Sequence, residues 1–280
     1  MKYCIFVFIF VTLLFAGGFG YTGISAASTP VNGGSDDIEI TYINDWITAD
    51  VVLGLDIYEY LSECYILASD PVSDHIQSYD ASTTAPLGTM NLSGANDHCF
   101  GIAWNNNPDF DTYYINDWMD PVLYYTEDFG STWTTAPNPA GNSARGMDFD
   151  GTDYWTTNGS GGGLWRFTPG AGQENIPTPF VTGQPSGLTV FPAGANLGIV
   201  ITTYTNIFFF CEWDGSTMTL IGSTVCLPSC ACSYGLAYST SRDTFFWSYI
   251  DAANDYHLAE FTFEVASLEQ STWGAIKNSF

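Results

Sequence analysis

Short apolar runs separated by polar turns recur along most of this chain, and one glycine phrase sets their spacing. A glycine, two variable residues and a hydrophobic or aromatic residue occur five times: Gly54-Leu55-Asp56-Ile57, Gly101-Ile102-Ala103-Trp104, Gly146-Met147-Asp148-Phe149, Gly187-Leu188-Thr189-Val190 and Gly235-Leu236-Ala237-Tyr238. The steps between the glycines are 47, 45, 41 and 48 residues. A second apolar run follows each phrase (Cys64–Leu67, Tyr113–Ile115, Tyr154-Trp155, Ile199–Ile201, Phe245–Trp247), and then a third (Ile76–Tyr79, Val122–Tyr125, Leu164–Phe167, Ile207–Cys211, Leu258–Phe261). A turn rich in Asp, Gly, Ser and Thr comes next, then a weaker fourth segment. Runs this short, aromatic and β-branched, predict strands. Four strands repeating with a period in the forties predict an all-β chain: a five-bladed β-propeller of four-stranded antiparallel blades, with six blades as the alternative. The phrase glycines suit places near a central channel where backbones crowd together.

The ends of the chain read differently. Residues 1–27 have the form of a secretory signal peptide, with Lys2, an apolar stretch Cys4–Phe15 and small residues Ser25-Ala26-Ala27 before a cleavage point. Residues 28–35 read as a flexible linker and 36–280 as the propeller. Ile38–Tyr42 alternates apolar and polar positions and is expected to be an outer strand of the last blade, closing the ring and removing a free sheet edge. The tail 271–280 is either a last outer strand or a short terminal tag. Tyr-Ile-Asn-Asp-Trp occurs at 42–46 and again at 114–118, 72 residues apart, which is not a whole number of repeats.

Charge narrows the partners. Acidic residues number 30 against 5 basic, for a net charge of −25. Without Lys2 only Arg145, Arg166, Arg242 and Lys277 remain, so the cationic footprint that nucleic acid requires cannot be assembled. Anionic membrane surfaces are disfavoured for the same reason, and no membrane insertion is expected after signal cleavage. Aspartate outnumbers glutamate 21 to 9, which points to turns that aspartate caps. Six cysteines follow the leader: Cys64, Cys99, Cys211, Cys226, Cys230 and Cys232. In an exported chain they are disulfide candidates, at least two bridges being expected and one of them within Cys226–Cys232. The alternative for that triplet is a soft-metal site. His75, His98 and His257 show no ligand spacing.

Thr126-Glu127-Asp128-Phe129-Gly130-Ser131-Thr132-Trp133 resembles the Asp-box (BNR) repeat of propellers, and Glu212–Thr217 is a degraded relative at the equivalent turn. The physical logic is local: Asp128 caps backbone N–H groups, Gly130 takes a positive φ, Thr132 completes the turn and Trp133 packs the hairpin down. The device occurs in sialidases and in non-enzymes, so it implies fold and not activity. A sialidase would also need an arginine triad, and the three arginines here lie on unmatched segments. Gly146-Met-Asp-Phe-Asp-Gly-Thr-Asp-Tyr-Trp is similar to repeats of secreted bacterial propellers related to the NHL, senescence-marker-protein-like and quinoprotein-like groups, at repeat level over residues 50–270. That resemblance implies fold and export. The metal-binding acids of the lactonases in those groups have no counterpart here.

Two candidate chemistries remain. Asp56 and Asp148 stand two residues beyond a phrase glycine in different repeats, where a carboxylate pair near a channel would suit a carbohydrate-active hydrolase. The other repeats carry Ala103, Thr189 and Ala237 there, as a packing position would. Asp148, Asp150 and Asp153 lie in an oxygen-rich loop and are candidates for Ca²⁺, as is the loop Asn105–Asp111. Otherwise no cofactor is expected. The sequence thus reads as an exported monomeric propeller, non-catalytic, recognising a carbohydrate or protein ligand outside the cell or at its surface.

Overall fold

The computed structural model describes residues 38–60, 63–106, 111–161, 163–227 and 229–265. They form twenty strands: β1 (Ile38–Thr48), β2 (Leu55–Tyr60), β3 (Glu63–Asp70), β4 (His75–Asp80), β5 (Pro86–Asn91), β6 (Cys99–Asn106), β7 (Asp111–Asp117), β8 (Val122–Thr126), β9 (Thr134–Pro137), β10 (Ala144–Phe149), β11 (Tyr154–Asn158), β12 (Leu164–Phe167), β13 (Gln173–Ile176), β14 (Pro185–Ala193), β15 (Asn196–Thr203), β16 (Ile207–Trp213), β17 (Met218–Val225), β18 (Cys230–Ser239), β19 (Thr244–Asp251) and β20 (Tyr256–Val265). Five antiparallel sheets of four result: β2–β5, β6–β9, β10–β13, β14–β17, and a fifth ordered β1-β20-β19-β18. This is a five-bladed β-propeller. Each phrase glycine opens or lies within an innermost strand.

The last blade takes its outer strand from the other end of the propeller. β1 pairs with β20 from Ile38 opposite Val265 to Thr48 opposite Tyr256, with one irregularity between Tyr42 and Asn44. The tail at 271–280 lies outside the described residues, and β1 fills the outer position of that sheet. The ring is therefore closed by backbone hydrogen bonds between segments more than 200 residues apart. Ion pairing reinforces the closure. Glu260 on β20, 1% exposed, accepts from Arg242 at both oxygens (2.9 and 3.0 Å), from Thr244 Oγ1 (2.8 Å) and from Asn44 Nδ2 on β1 (3.0 Å).

The core consists of five apolar clusters, each spanning the gap between two neighbouring blades. Successive residues of a strand point to opposite faces, and in a propeller both faces are covered. Thus Ile199 and Ile201 pack toward β10–β13, while Val200 packs toward β18–β20. Phe209 and Cys211 go one way, Phe208 and Phe210 the other. That double burial explains the unbroken apolar run Ile207–Cys211, which shows no alternation.

Aspartate caps the turns. Asp80 accepts from the N–H groups of Ser82 and Thr83, Asp214 from Ser216 and Thr217, and Asp251 from Ala253 and Asp255, all at 2.7–2.9 Å. In the turn from Thr126 to Trp133, Asp128 Oδ1 accepts from Thr132 N–H (2.8 Å) and Oδ2 from Thr132 Oγ1 (2.7 Å). Gly130 there has φ +81°, and Trp133 packs on the apolar cluster between β2–β5 and β6–β9.

Candidate functional site

The centre of the ring is built from the five phrase glycines. A Cβ on Gly54 would lie 1.8 Å from the carbonyl oxygen of Phe100; on Gly101, 2.1 Å from that of Arg145; on Gly146, 2.3 Å from Leu188 N; on Gly187, 2.2 Å from the oxygen of Tyr234; on Gly235, 2.3 Å from that of Leu53. Each glycine thus abuts the residues around the next glycine, and Gly235 returns to Gly54. Any side chain would push two inner strands apart. Only five narrow backbones close so small a ring.

Small polar groups on the second strands clip the same places together. Ser69 Oγ accepts from Gly54 N–H (2.8 Å) and donates to the carbonyl of Phe100 (2.5 Å). Asn116 accepts from Gly101 N–H (2.7 Å) and donates to the carbonyl of Arg145. Ser248 accepts from Gly235 N–H (2.8 Å) and donates to the carbonyl of Leu53 (2.6 Å). Thr157 and Thr202 stand opposite Gly146 and Gly187 in the other two blades but do not clip them, Thr202 Oγ1 bonding Ser233 Oγ instead; all five residues are fully buried. These clips were not singled out from the sequence. Their signal is a polar residue inside an otherwise apolar second run.

Pairing between first and second strands slips just before the phrase in four blades: between Cys99 and Ile102, Ala144 and Met147, Pro185 and Gly187, and Ser233 and Leu236. Such bulges free a residue from the ladder and re-aim its side chain. The residues freed include Phe100, Arg145 and Tyr234. They meet at the end of the channel where the inner strands begin, together with Trp118 and Tyr204 from the turns after β7 and β15. Arg145 Cζ lies 5.3 Å from the Phe100 ring centre and 5.8 Å from that of Trp118. Phe100 contacts Tyr204 and Tyr234 at 6.4 and 6.2 Å, and those two rings are 5.8 Å apart. Four blades contribute to one cluster.

Arg145 is fixed within it. Nε donates to Tyr204 Oη (2.7 Å), Nη1 donates to the Ala144 carbonyl (2.9 Å), and Gly159 leaves room for the guanidinium: a Cβ there would be 3.3 Å from Cζ. Burial pushes the Tyr204 hydroxyl up to about 12. Arg166 is paired with Asp153 at 2.7 Å and Arg242 with Glu260 at 2.9 Å, whereas among the described residues Arg145 has no carboxylate within ion-pair distance. Beside the cluster, His98 sits 5.2 Å from the Trp118 ring and bonds Asp97 at 2.7 Å. Asp97, His98 and Asp117 bring their ligand atoms within 4.8 Å of one another. Asp117 is engaged by the N–H groups of Met119, Asp120 and His98.

Asp56 and Asp148 sit two residues further along the inner strands, and the structure places them in the channel wall. Asp56 accepts from Ile57 N–H (2.7 Å) and from the N–H of Trp104 in the next blade. Asp148 accepts from Phe149 N–H, and from Val190 N–H and Thr189 Oγ1 in the next blade, all at 2.7 Å. Both are more than nine-tenths buried. Burial pushes Asp148 up to about 6. Burial, and then the charge of Asp148, raise Asp56 as well. An innermost strand pairs on one side only, so its other edge presents unpaired N–H groups, and these carboxylates accept from them. They clamp blade to blade.

In the loop after β10 the three acids face different protein groups. Asp150 accepts from Thr152 N–H, Asp153 N–H and Trp155 Nε1, Asp153 takes Arg166 and Thr168, and Asp148 is turned to the next blade. Each carboxylate is committed to a different protein partner. Part of Asn105–Asp111 lies outside the described residues. Among the described residues none of Cys64, Cys99, Cys211, Cys226, Cys230 and Cys232 is bridged. Cys226 and Cys230 share one apolar cluster, Cys99 and Cys211 lie in two others, and Cys64 packs against a fourth. His257 bonds Asp45 on β1 at 3.0 Å and serves blade closure.

No family model and no curated protein matches the chain. Solved structures do resemble it. Glutaminyl cyclase from Myxococcus xanthus aligns with a TM-score of 0.55 at 15% identity, over 81% of this chain and 97% of that one. The PQQ-bound aldose sugar dehydrogenase from Streptomyces coelicolor aligns with a TM-score of 0.52 at 11% identity, over 83% and 100%. An engineered GH43 glycoside hydrolase aligns with a TM-score of 0.52 at 10% identity, over 82% and 55%. The likeness is one of fold; the three activities differ, as expected where sites are grafted on a common scaffold.

Proposed function

We propose that this is an exported, non-catalytic recognition propeller that holds a carbohydrate or protein ligand at the channel end formed by Arg145, Phe100, Trp118, Tyr204 and Tyr234. The convergence of these five side chains from four blades carries the reading. Partly exposed Trp118, Tyr204 and Tyr234, with the buried Phe100 packed among them, surround one oriented cation and make a binding surface. The leader-like residues 1–27 support export, and the Thr126–Trp133 turn, read as an Asp-box, supports a scaffold role for that hairpin.

A second reading, a hydrolase using Asp56 and Asp148, is favoured by one observation, their raised proton affinity, since a general acid must be protonated near neutral pH. Burial, with the charge of Asp148 acting on Asp56, accounts for that affinity without catalysis, against the inter-strand N–H groups, which favour the charged form. A glycan array and a hydrolysis screen on the same sample separate the readings. Binding without turnover is expected. Turnover that disappears in Asp148→Asn would replace the first reading with the second.

A further inference from the structure

We infer that the channel end selects a sugar carrying a single carboxylate, a uronic acid, with Arg145 as its anchor; this rests on the recognition reading above. In a chain of net charge −25, any mobile arginine should find a carboxylate, and Arg166 and Arg242 have done so. Arg145 has not. Instead Tyr204 and the Ala144 carbonyl orient it, Phe100 and Trp118 flank it, and Gly159 makes space for it. Its Nη2 donates to no acceptor among the described residues. A guanidinium held half-buried, oriented and without a counter-charge is preorganised for a planar anion that it can grip with two parallel hydrogen bonds.

The surroundings choose among anions. Asp117, next to Trp118 in the chain, Asp97, bonded to the His98 that contacts Trp118, and the chain's overall charge repel polyanions and dianionic phosphate, while one carboxylate matches one arginine. The faces of Trp118, Tyr204 and Tyr234 suit the apolar face of a pyranose ring. Asp97, the more exposed acid, offers an acceptor for sugar hydroxyls. An acidic peptide would bring further charges into the same repulsive field.

The test is a titration of the full chain, followed by tryptophan fluorescence, with D-glucuronate, D-glucose, N-acetylglutamate and inorganic phosphate, at low and high salt. Saturable binding of glucuronate is expected, at least about 10-fold tighter than glucose, because a charge-assisted bidentate contact is worth that much or more. It should weaken with salt. Arg145→Gln should lose at least about 10-fold and Arg145→Lys most of that, since an ammonium lacks the planar fork. If Arg145→Gln does not fold, Tyr204→Phe keeps the ring, removes the orienting hydrogen bond and should cost several-fold, about 3–10. Equal binding of glucose and glucuronate, or glucuronate binding untouched by Tyr204→Phe and Arg145→Gln, overturns the proposal while leaving a recognition propeller standing. Preference for N-acetylglutamate or phosphate reassigns the anion, and binding of no probe also overturns it. Hydrolysis of a glucuronide would instead sink the non-catalytic reading on which it rests.

Discussion

Gly235 in the last inner strand lies directly against Gly54 in the first: a Cβ on Gly235 would be 2.9 Å from the carbonyl carbon of Gly54 and 2.6 Å from Leu55 N. The contact joins the two ends of a chain of five such contacts, so the ring closes at its narrowest point through glycine alone.

Alanine at these positions should therefore act on the whole ring. Gly101→Ala places a Cβ 2.1 Å from the Arg145 carbonyl oxygen, and backbone cannot move aside as a flexible side chain would. We expect a loss of about 3 kcal/mol or more, read as a lowered midpoint in chemical denaturation or as failure to fold. Gly94→Ala, with nothing within 4 Å of the new Cβ, should stay within about 0.5 kcal/mol of the parent. Equal effects at the two positions would refute the ring argument.

Asp148→Asn should change the pH dependence of stability. Because burial raises Asp148 to about 6, the folded state binds its proton more tightly than an unfolded aspartate does. Stability contributed by this group is full below pH about 4 and falls as pH rises through about 4 to 6. The asparagine amide does not titrate, so the substitution removes that slope and introduces a hydrogen-bond cost that does not vary with pH. The variant's stability relative to the parent should rise by up to about 3 kcal/mol between pH 4 and 7. A flat difference across that range would mean that Asp148 is charged throughout.

Glu260 should be the most sensitive charge in the closing blade. It is 1% exposed and satisfies Arg242, Thr244 and Asn44 together. Glu260→Ala strands a cation and two polar groups and should cost about 3–5 kcal/mol. The double variant Glu260→Met, Arg242→Met should recover much of it, since no buried charge is then left alone. Thermal melts of the single and double variants test this, and a double variant no better than the single would show that packing, not charge, dominates there.

The blades were legible because backbone crowding and double-sided burial leave local marks: a glycine at fixed spacing, then apolar runs without alternation. The outer strand β1 was legible from five alternating residues, Ile38–Tyr42, although it runs on to Thr48. Arg145 was less visible, since its importance comes from register. It precedes Gly146 as Phe100 precedes Gly101 and Tyr234 precedes Gly235, and a bulge frees each. Asp56 and Asp148 were legible as a pair of related positions, but their role depends on unpaired N–H groups of the next strand, which only the assembled ring supplies. The repeated Tyr-Ile-Asn-Asp-Trp peptide carries no shared role. In β1 its Asp45 accepts from Tyr249 Oη and bonds His257, while in β7 its Asn116 clips Gly101 and its Asp117 caps a turn.

Fold and recognition should separate at the turn before β9. Thr132 N–H and Oγ1, with Thr126 Oγ1, hold the Asp128 carboxylate below its usual range, so its stabilising effect is present above pH about 4 and lost as pH falls. Asp128→Ala should lower Tm by about 2–4 °C, as loss of a capping side chain does in a domain of this size. Trp133 is half-buried on the cluster containing Leu67 and Cys99, and Trp133→Ala should cost more, about 3 kcal/mol. Neither change should alter binding at Arg145. The turn packs against β5, where a Cβ on Gly130 would meet Met90 Cγ at 2.7 Å and Asn91 O at 2.9 Å, and neither residue touches the cluster around Arg145. Weakened ligand binding in Asp128→Ala at an unchanged Tm would show that this turn takes part in recognition, and the assignment of the site to the channel end alone would fail.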